Sequence, residues 1–217
     1  MNNKKSANVP FKKHEVEKYE RRRYRGIDQR LVHGRETWIL RRILHKIGPN
    51  SLPVLDIPSG YGRFSKLLQE KGFSLVSSDL SFHMVKRAIE KHEDPGGILG
   101  VVVDAKQGLP FKRDVFFLLF SMRFFHHVHE RDEREVILKK FFRVTSDWVI
   151  LSYYQKNLLH ILQRKLRRRV MRKKTRIKMV SRREFHAEIR GAGLKVVKVF
   201  PVFRGMHAHH IALLRKI

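Results

Sequence analysis

Hydrophobic and polar positions fall into two textures along this chain. Up to Gly48 the pattern is helical. In the stretch LVHGRETWILRRILHKIG the apolar residues Leu31, Trp38, Ile39, Ile43, Leu44 and Ile47 recur at helical spacing, and Gly48-Pro49 ends the run. Beyond it, short apolar runs alternate with amphipathic ones. Strands are predicted over 54–57, over 74–78 ending at Asp79, over 99–103 ending at Asp104, over 115–121 and over 148–153. Helices are predicted over 63–71, 82–91 and 131–144. That alternation is the pattern of βαβ units and predicts an α/β fold, a mostly parallel sheet with helices on both faces. Two further strands are expected over 195–202 and 209–214. No internal repeat is evident.

Charge narrows the range of partners. The 217 residues suit one domain with a proper core. They carry 48 Lys and Arg against 20 Asp and Glu, a formal net charge of +28. Nothing in a solvated surface demands so one-sided a balance, so a polyanionic partner is expected: nucleic acid, an anionic membrane surface or a phosphorylated substrate. The absence of cysteine removes disulfides, iron–sulfur clusters and any thiolate nucleophile. It also fits a reducing compartment, and a cytoplasmic location is expected. The basic start has no apolar h-region and so is not a secretory signal. The longest apolar run, 115–120, is far short of the ~20 residues of a membrane span, leaving a soluble or at most peripheral protein.

The candidate chemistry begins at VLDIPSGYGRF, 54–64. A strand ends there, Ser59-Gly60-Tyr61-Gly62 makes a tight turn, and Phe64, Leu67 and Leu68 open a helix. In such a unit the glycines let the backbone approach a ligand, and free N–H groups at the helix start favour polar or anionic atoms. A plain βα turn would read the same way if it stood alone. It does not: the next strand ends in Asp79, 23 residues after Asp56, where a carboxylate can accept both hydroxyls of a ribose. Asp104 closes the third strand, so three carboxylates converge on the edge where open α/β sheets bind ligands.

With these residues the sequence resembles the class I S-adenosylmethionine-dependent methyltransferases, in particular the small single-domain ones of the methyltransferase type 11 kind. The resemblance runs from about Leu52 to the C-terminus, through VLDIPSGYGRFSKLL, LVSSDLSFHMVKRA, VVVDAKQGLPF, VFFLLFSMRFFHHV and SRREFHAEIRGAGLKVVKV to HHIALLRK. It implies a Rossmann-like sheet of seven strands with an antiparallel edge at the C-terminus, and S-adenosyl-L-methionine as cofactor. Of the family's acidic-x-Gly-x-Gly-x-Gly motif, Asp56, Gly60 and Gly62 match, while Pro58 replaces the first glycine and lacks its N–H. By resemblance Ser59, Gly60 and Gly62 would hold the methionine part of the cofactor, Asp79 and Leu80 the ribose side, Asp104 and the Ala105 backbone the adenine, and Ser121 the end of the central strand. His126 and His127 resemble the paired histidines found where donor meets acceptor; a histidine suits proton removal from a hydroxyl near neutral pH. Each can equally be a packing or surface residue. No Asn-Pro-Pro-aromatic sequence follows the fourth strand, which argues against amino-adenine and amino-cytosine acceptors, and the missing cysteine excludes covalent pyrimidine C5 chemistry.

Between the fifth strand and the last helix lies LLHILQRKLRRRVMRKKTRIKMVSRREF. Ten of the fifteen residues 164–178 are Lys or Arg, among them Arg164, Lys165, Arg167, Arg168, Arg169, Arg172, Lys173 and Lys174. Leu158, Leu159, Ile161, Leu162, Leu166, Val170 and Met171 keep a helical apolar stripe. This basic helical insertion, about 156–180, reads as an acceptor- or anion-binding element, either a lid on RNA phosphates or an amphipathic helix on anionic lipid or glycolipid; the bland alternative is a solvated basic face. The lipid reading adds peripheral contact at the inner face of the membrane. A second cluster, Lys18, Arg21, Arg22, Arg23 and Arg25 with Tyr19 and Tyr24, lies in a basic, partly disordered extension over 1–30; the main domain is expected over 31–217. His207, His209 and His210 read as exposed strand histidines rather than metal ligands, so no metal is expected. The sequence thus points to a methyltransferase acting on an oxygen or nitrogen of an anionic acceptor, RNA or a phosphorylated lipid or glycolipid. The rival is a methyltransferase-like module that binds RNA or membrane without catalysis.

Overall fold

The computed structural model describes residues 10–23, 26–91, 97–156, 177–204 and 208–217. Two helices lead, α1 (Lys13–Arg23) and α2 (Ile27–Ile47), followed by β1 (Val54–Asp56), α3 (Ser65–Glu70), β2 (Leu75–Asp79), α4 (Phe82–Glu90), β3 (Ile98–Val102) and β4 (Phe116–Ser121). A 3-10 turn at Phe125–His127 precedes α5 (Arg131–Val144), β5 (Thr145–Tyr154), α6 (Arg182–Gly191), β6 (Leu194–Pro201) and β7 (His209–Lys216). The seven strands form one sheet in the order β3-β2-β1-β4-β5-β7-β6. Pairing is parallel from β3 to β5, and β7 inserts antiparallel between β5 and β6. Strand order reverses between β1 and β4, the switch point at which sheets of this class open a ligand crevice.

Helices cover both faces, which is why the central strands read as unbroken apolar runs. Successive residues of β5 and β7 point into opposite cores: Val149, Leu151, Ala212 and Leu214 meet α5 and α6 through Ile137, Phe141, Phe185 and Ile189. Ile150, Ile211 and Leu213 meet α2 and α3 through Ile39, Leu40, Ile43, Leu44 and Leu68. Leu31 and Trp38 depart from the predicted stripe of α2. Seven residues apart, they share a face that turns outward, and Trp38 is flanked by the guanidinium groups of Arg35 and Arg42 at 4.2 and 4.7 Å from its ring.

The α5 prediction matches its observed ends, and β3 stops at Val102, two residues short of Asp104. Residues 13–23 form a helix whose Val16 packs with Tyr61 and Met84, next to Phe11. Between α5 and α6 a buried ion pair joins Arg134 to Glu188, with Nε to Oε2 at 3.0 Å and Nη2 to Oε1 at 2.5 Å; Arg134 Nη1 also donates to the carbonyl of His129 at 2.9 Å. Among the described residues no helix is long and apolar enough to cross a membrane.

Candidate functional site

β1 delivers Asp56 to the switch point, where its carboxyl is buried. Burial, reinforced by the nearby Asp79 charge, pushes the Asp56 carboxyl up to about 8. The turn that follows is tied down by backbone bonds: Ile57 N–H to the Phe120 carbonyl at 2.9 Å, Ser59 N–H to Ser78 at 2.8 Å, and Gly62 N–H to Ser59 at 3.2 Å. The Ile57–Pro58 peptide is cis. Gly60 and Gly62 take positive φ, +57° and +73°. A Cβ at Gly62 would lie 3.0 Å from the Ala88 Cα, so that glycine is also needed for α4 to pack closely; a Cβ at Gly60 would meet nothing within 4 Å, so that backbone faces open space.

Asp79 ends β2 and reaches across to the turn. Its Oδ2 accepts the Gly60 N–H at 3.0 Å and its Oδ1 the Ser81 N–H at 2.9 Å. Burial pushes this carboxyl up, and backbone bonds from Ser81, Gly60 and Leu80 oppose that shift. Three backbone donors on its two oxygens leave one lone pair for a ligand hydroxyl. Asp104 follows β3 in a turn in which its Oδ1 accepts the Lys106 N–H at 2.9 Å and its carbonyl accepts from Gln107 and Gly108; Ala105 is buried beside it. Ser121, at the end of β4, buries its hydroxyl without a hydrogen-bond partner among the described residues. Just ahead of α1, the Phe11 carbonyl accepts from Ser81 Oγ at 2.7 Å, and Tyr19 of α1 packs between the rings of Phe11 and Tyr61.

Past β4 the 3-10 turn holds His126 and His127, whose ring centres are 4.1 Å apart; His126 is buried and His127 exposed. The row of rings continues from His126 to Tyr154 at 4.8 Å and from Tyr154 to His209, stacked at 5.0 Å. His209 corrects the expectation of exposed strand histidines. It pairs with Tyr154 in the sheet register and is fully buried, its Nδ1 3.3 Å from Glu36 Oε1. His210 is part-buried, and His207 lies outside the described residues. No group of three or more His, Cys, Asp or Glu among the described residues is placed to hold a metal ion.

The polar centre that the sequence did not reveal is Glu36 of α2. It is fully buried and binds two arginines: Arg63 Nη2 at 2.5 Å on Oε2, and Arg123 Nε and Nη2 at 2.9 and 2.8 Å on Oε1. Arg63 follows Gly62, and Arg123 follows Ser121-Met122. Both were visible in the quoted motifs, but nothing in a linear sequence pairs them with Glu36.

The predicted anion-binding residues Arg164, Lys165, Arg167, Arg168, Arg169, Arg172, Lys173 and Lys174 lie within 157–176, outside the described residues. The ends of that segment are described. Lys156 N–H donates to the Val180 carbonyl at 2.8 Å, Val180 N–H to Tyr154 at 2.9 Å, and Lys178 N–H to the His126 carbonyl at 3.0 Å. Both ends of the basic segment are therefore anchored at the C-terminal end of β5, beside His126.

Residues 54–147, from β1 to the start of β5, match the family model of the methyltransferase domain. Over those residues the chain carries a methyltransferase domain. The methyltransferase fold extends over nearly the whole chain. Magnesium protoporphyrin IX methyltransferase from Synechocystis PCC 6803, solved with bound SAH, is 16% identical and superposes with a TM-score of 0.75, covering 94% of this chain and 95% of that one. A SAM-dependent methyltransferase from Methanosarcina mazei is 19% identical with a TM-score of 0.66, over 81% of this chain and 97% of that one. A Haloferax volcanii methyltransferase solved in complex with the Trm112 methyltransferase activator is 17% identical with a TM-score of 0.65, over 94% of each chain. No match was found among curated protein sequences.

The residues present fit S-adenosylmethionine. The space at Gly60 and the unpartnered hydroxyl of Ser121 leave room and a hydrogen-bonding group at the switch point. The Asp56 carboxyl, raised by burial, would gain from a cation beside it.

Proposed function

We propose that this protein transfers the methyl group of S-adenosylmethionine to an oxygen or nitrogen atom of an anionic acceptor, either RNA or a phosphorylated lipid or glycolipid. The observation that carries the acceptor class is the anchoring of both ends of the basic segment beside His126, next to the crevice. When bound, the cofactor supplies a sulfonium-activated methyl group for in-line displacement. In this reading Asp56 and the turn of Ser59, Gly60 and Gly62 hold the methionine end, Asp79 with Leu80 the ribose, Asp104 and Ala105 the adenine, and Ser121 the floor between them. His126 and His127 are the groups that would take a proton from a hydroxyl acceptor, and the main work of the protein is orientation.

Asp79→Ala is expected to weaken S-adenosylmethionine binding by about 1–3 kcal/mol, through lost charge-assisted hydrogen bonds. Part of that loss comes from the turn, since Gly60 N–H loses its acceptor. Asp79→Asn, which keeps one acceptor oxygen, should recover a portion. Calorimetric affinities of the three proteins check this, and equal affinities would remove Asp79 from the ribose.

Asp56 gives the pH dependence. Its folded-state value lies above the unfolded one, so the folded protein holds a proton that the unfolded chain has released. This contribution to stability is full below the ordinary carboxylate range and is lost as pH rises through about 8. A cation in the crevice favours the ionised form. Cofactor binding at pH 7 is therefore expected to release up to about one proton and to tighten with rising pH until about pH 8. Titrations in buffers of different ionisation enthalpy read the proton directly; heats independent of buffer would place the cation away from Asp56.

Neutralising Arg167, Arg168 and Arg169 together should leave cofactor affinity unchanged while weakening the acceptor and lowering its salt slope. An unchanged slope would make the segment solvated surface. The acceptor class is tested by incubating the purified protein with methyl-tritiated S-adenosylmethionine and total cell extract, then separating RNA, protein and lipid. Counts above the Asp79→Ala control in the RNA or lipid fraction support the reading and choose between them. Counts confined to protein would contradict the acceptor, and no counts with cofactor bound would favour the non-catalytic binding module, for which Pro58 and its missing N–H are the local argument.

A further inference from the structure

We infer that Arg123, oriented by Glu36, grips an oxyanion of the acceptor, a phosphate or a carboxylate group. The inference rests on the methyltransferase reading and narrows it to one contact. Arg63 and Arg123 lie on the two loops that leave β1 and β4, the strands flanking the switch point. Arg123 holds a left-handed backbone, φ 60°, which costs a non-glycine residue free energy and persists only where the surroundings enforce it. Here the Arg123 N–H donates to Ser152 Oγ at 2.6 Å, and the Nε and Nη2 edge of its guanidinium binds Glu36 Oε1. One edge of the fork is thereby fixed while the Nη1 group makes no hydrogen bond among the described residues, and the side chain retains 22% exposure.

Charge supplies the second argument. Two guanidinium groups share the single carboxylate of Glu36, and His33 accepts from Arg63 at Nδ1, 2.8 Å from Nη2, so it adds no negative charge. His209, the other group on Glu36, is neutral or cationic. Glu36 alone thus carries less charge than the two guanidinium groups it holds, and the Nη1 side of Arg123 is matched to an oxyanion by geometry as well as charge. Position selects the acceptor over the cofactor. Arg123 is attached to β5 through Ser152, on the side where His126 and both ends of the basic segment lie, whereas Gly60 and Asp79 are on the β1–β2 side.

The test uses the full chain, labelled with arginine carrying nitrogen-15 at Nε and saturated with S-adenosylhomocysteine. Inorganic phosphate in one series and acetate in the other are titrated against the Arg123 Nε–H resonance. Its loss in Arg123→Lys assigns the resonance; should that variant not fold, its shift in Ser152→Ala, which removes only the acceptor of the Arg123 N–H, does so. A saturable shift at Arg123 is expected, with the tighter series naming phosphate or carboxylate; calorimetric titration of the same anion should read roughly tenfold weaker binding in Arg123→Lys, with S-adenosylhomocysteine affinity unchanged within about twofold. Two results overturn the proposal: an Arg123 resonance that only drifts linearly, as exposed Arg41 does, or a large loss of S-adenosylhomocysteine affinity in Arg123→Lys, which would assign the arginine to the cofactor. Failure of wild-type protein to bind S-adenosylhomocysteine is a separate result and counts against the methyltransferase reading, while the anion titration still reads Arg123 without it.

Discussion

Arg134→Ala is expected to destabilise the protein by about 3–5 kcal/mol, the cost of leaving a buried carboxylate without its partner. Arg134 and Glu188 have side-chain exposures of 4% and 1%, so water cannot take over the lost contacts. The carbonyls of Val128 and His129 also lose the donor at Nη1. The paired replacement Arg134→Met with Glu188→Leu should recover most of the loss, because removing both charges removes the desolvation penalty together with the attraction. Denaturant midpoints of the single and double variants check this. A single variant within 1 kcal/mol of wild type, measured against an expected loss of about 3–5, would show that water enters between α5 and α6.

Glu36→Ala is expected to cost about 3 kcal/mol, less than Arg134→Ala because the guanidinium groups it abandons keep 10% and 22% exposure and can be partly hydrated. The loss should show in function as well as stability. Glu36 ties α2 to the turn after Gly62, to the end of β4 and to His209 of β7, so its removal frees both walls of the crevice at once. Thermal unfolding of the free protein and cofactor titration should therefore both weaken. If stability falls while cofactor affinity holds, the Glu36 cluster braces the acceptor side alone.

These two ion pairs mark where the sequence stopped being legible. The strands were readable because burial on both faces leaves runs such as 116–120 without a charge, and α5 was readable because its stripe and the turn before it coincide. Asp56 and Asp79 were readable because the fold repeats strand then turn, placing both carboxylates at strand ends. Glu36 stands beside Arg35 on a helix rich in charge, where a glutamate reads as solvated surface. What makes it buried is its contact with residues 27 and 87 positions away. The burial of His209 is hidden for the same reason: strand alternation assigns a side, but not that α2 covers it with a carboxylate. Tertiary contact decides both, and no local period encodes it.

Everything proposed for this protein depends on the crevice at the β1–β4 switch point taking S-adenosylmethionine. Isothermal titration of S-adenosylmethionine into the full chain at pH 7 tests it most directly. Saturable binding at one site per chain, weakened by Asp79→Ala, is expected. An absence of binding by folded wild-type protein, or binding that Asp79→Ala leaves untouched, would contradict it.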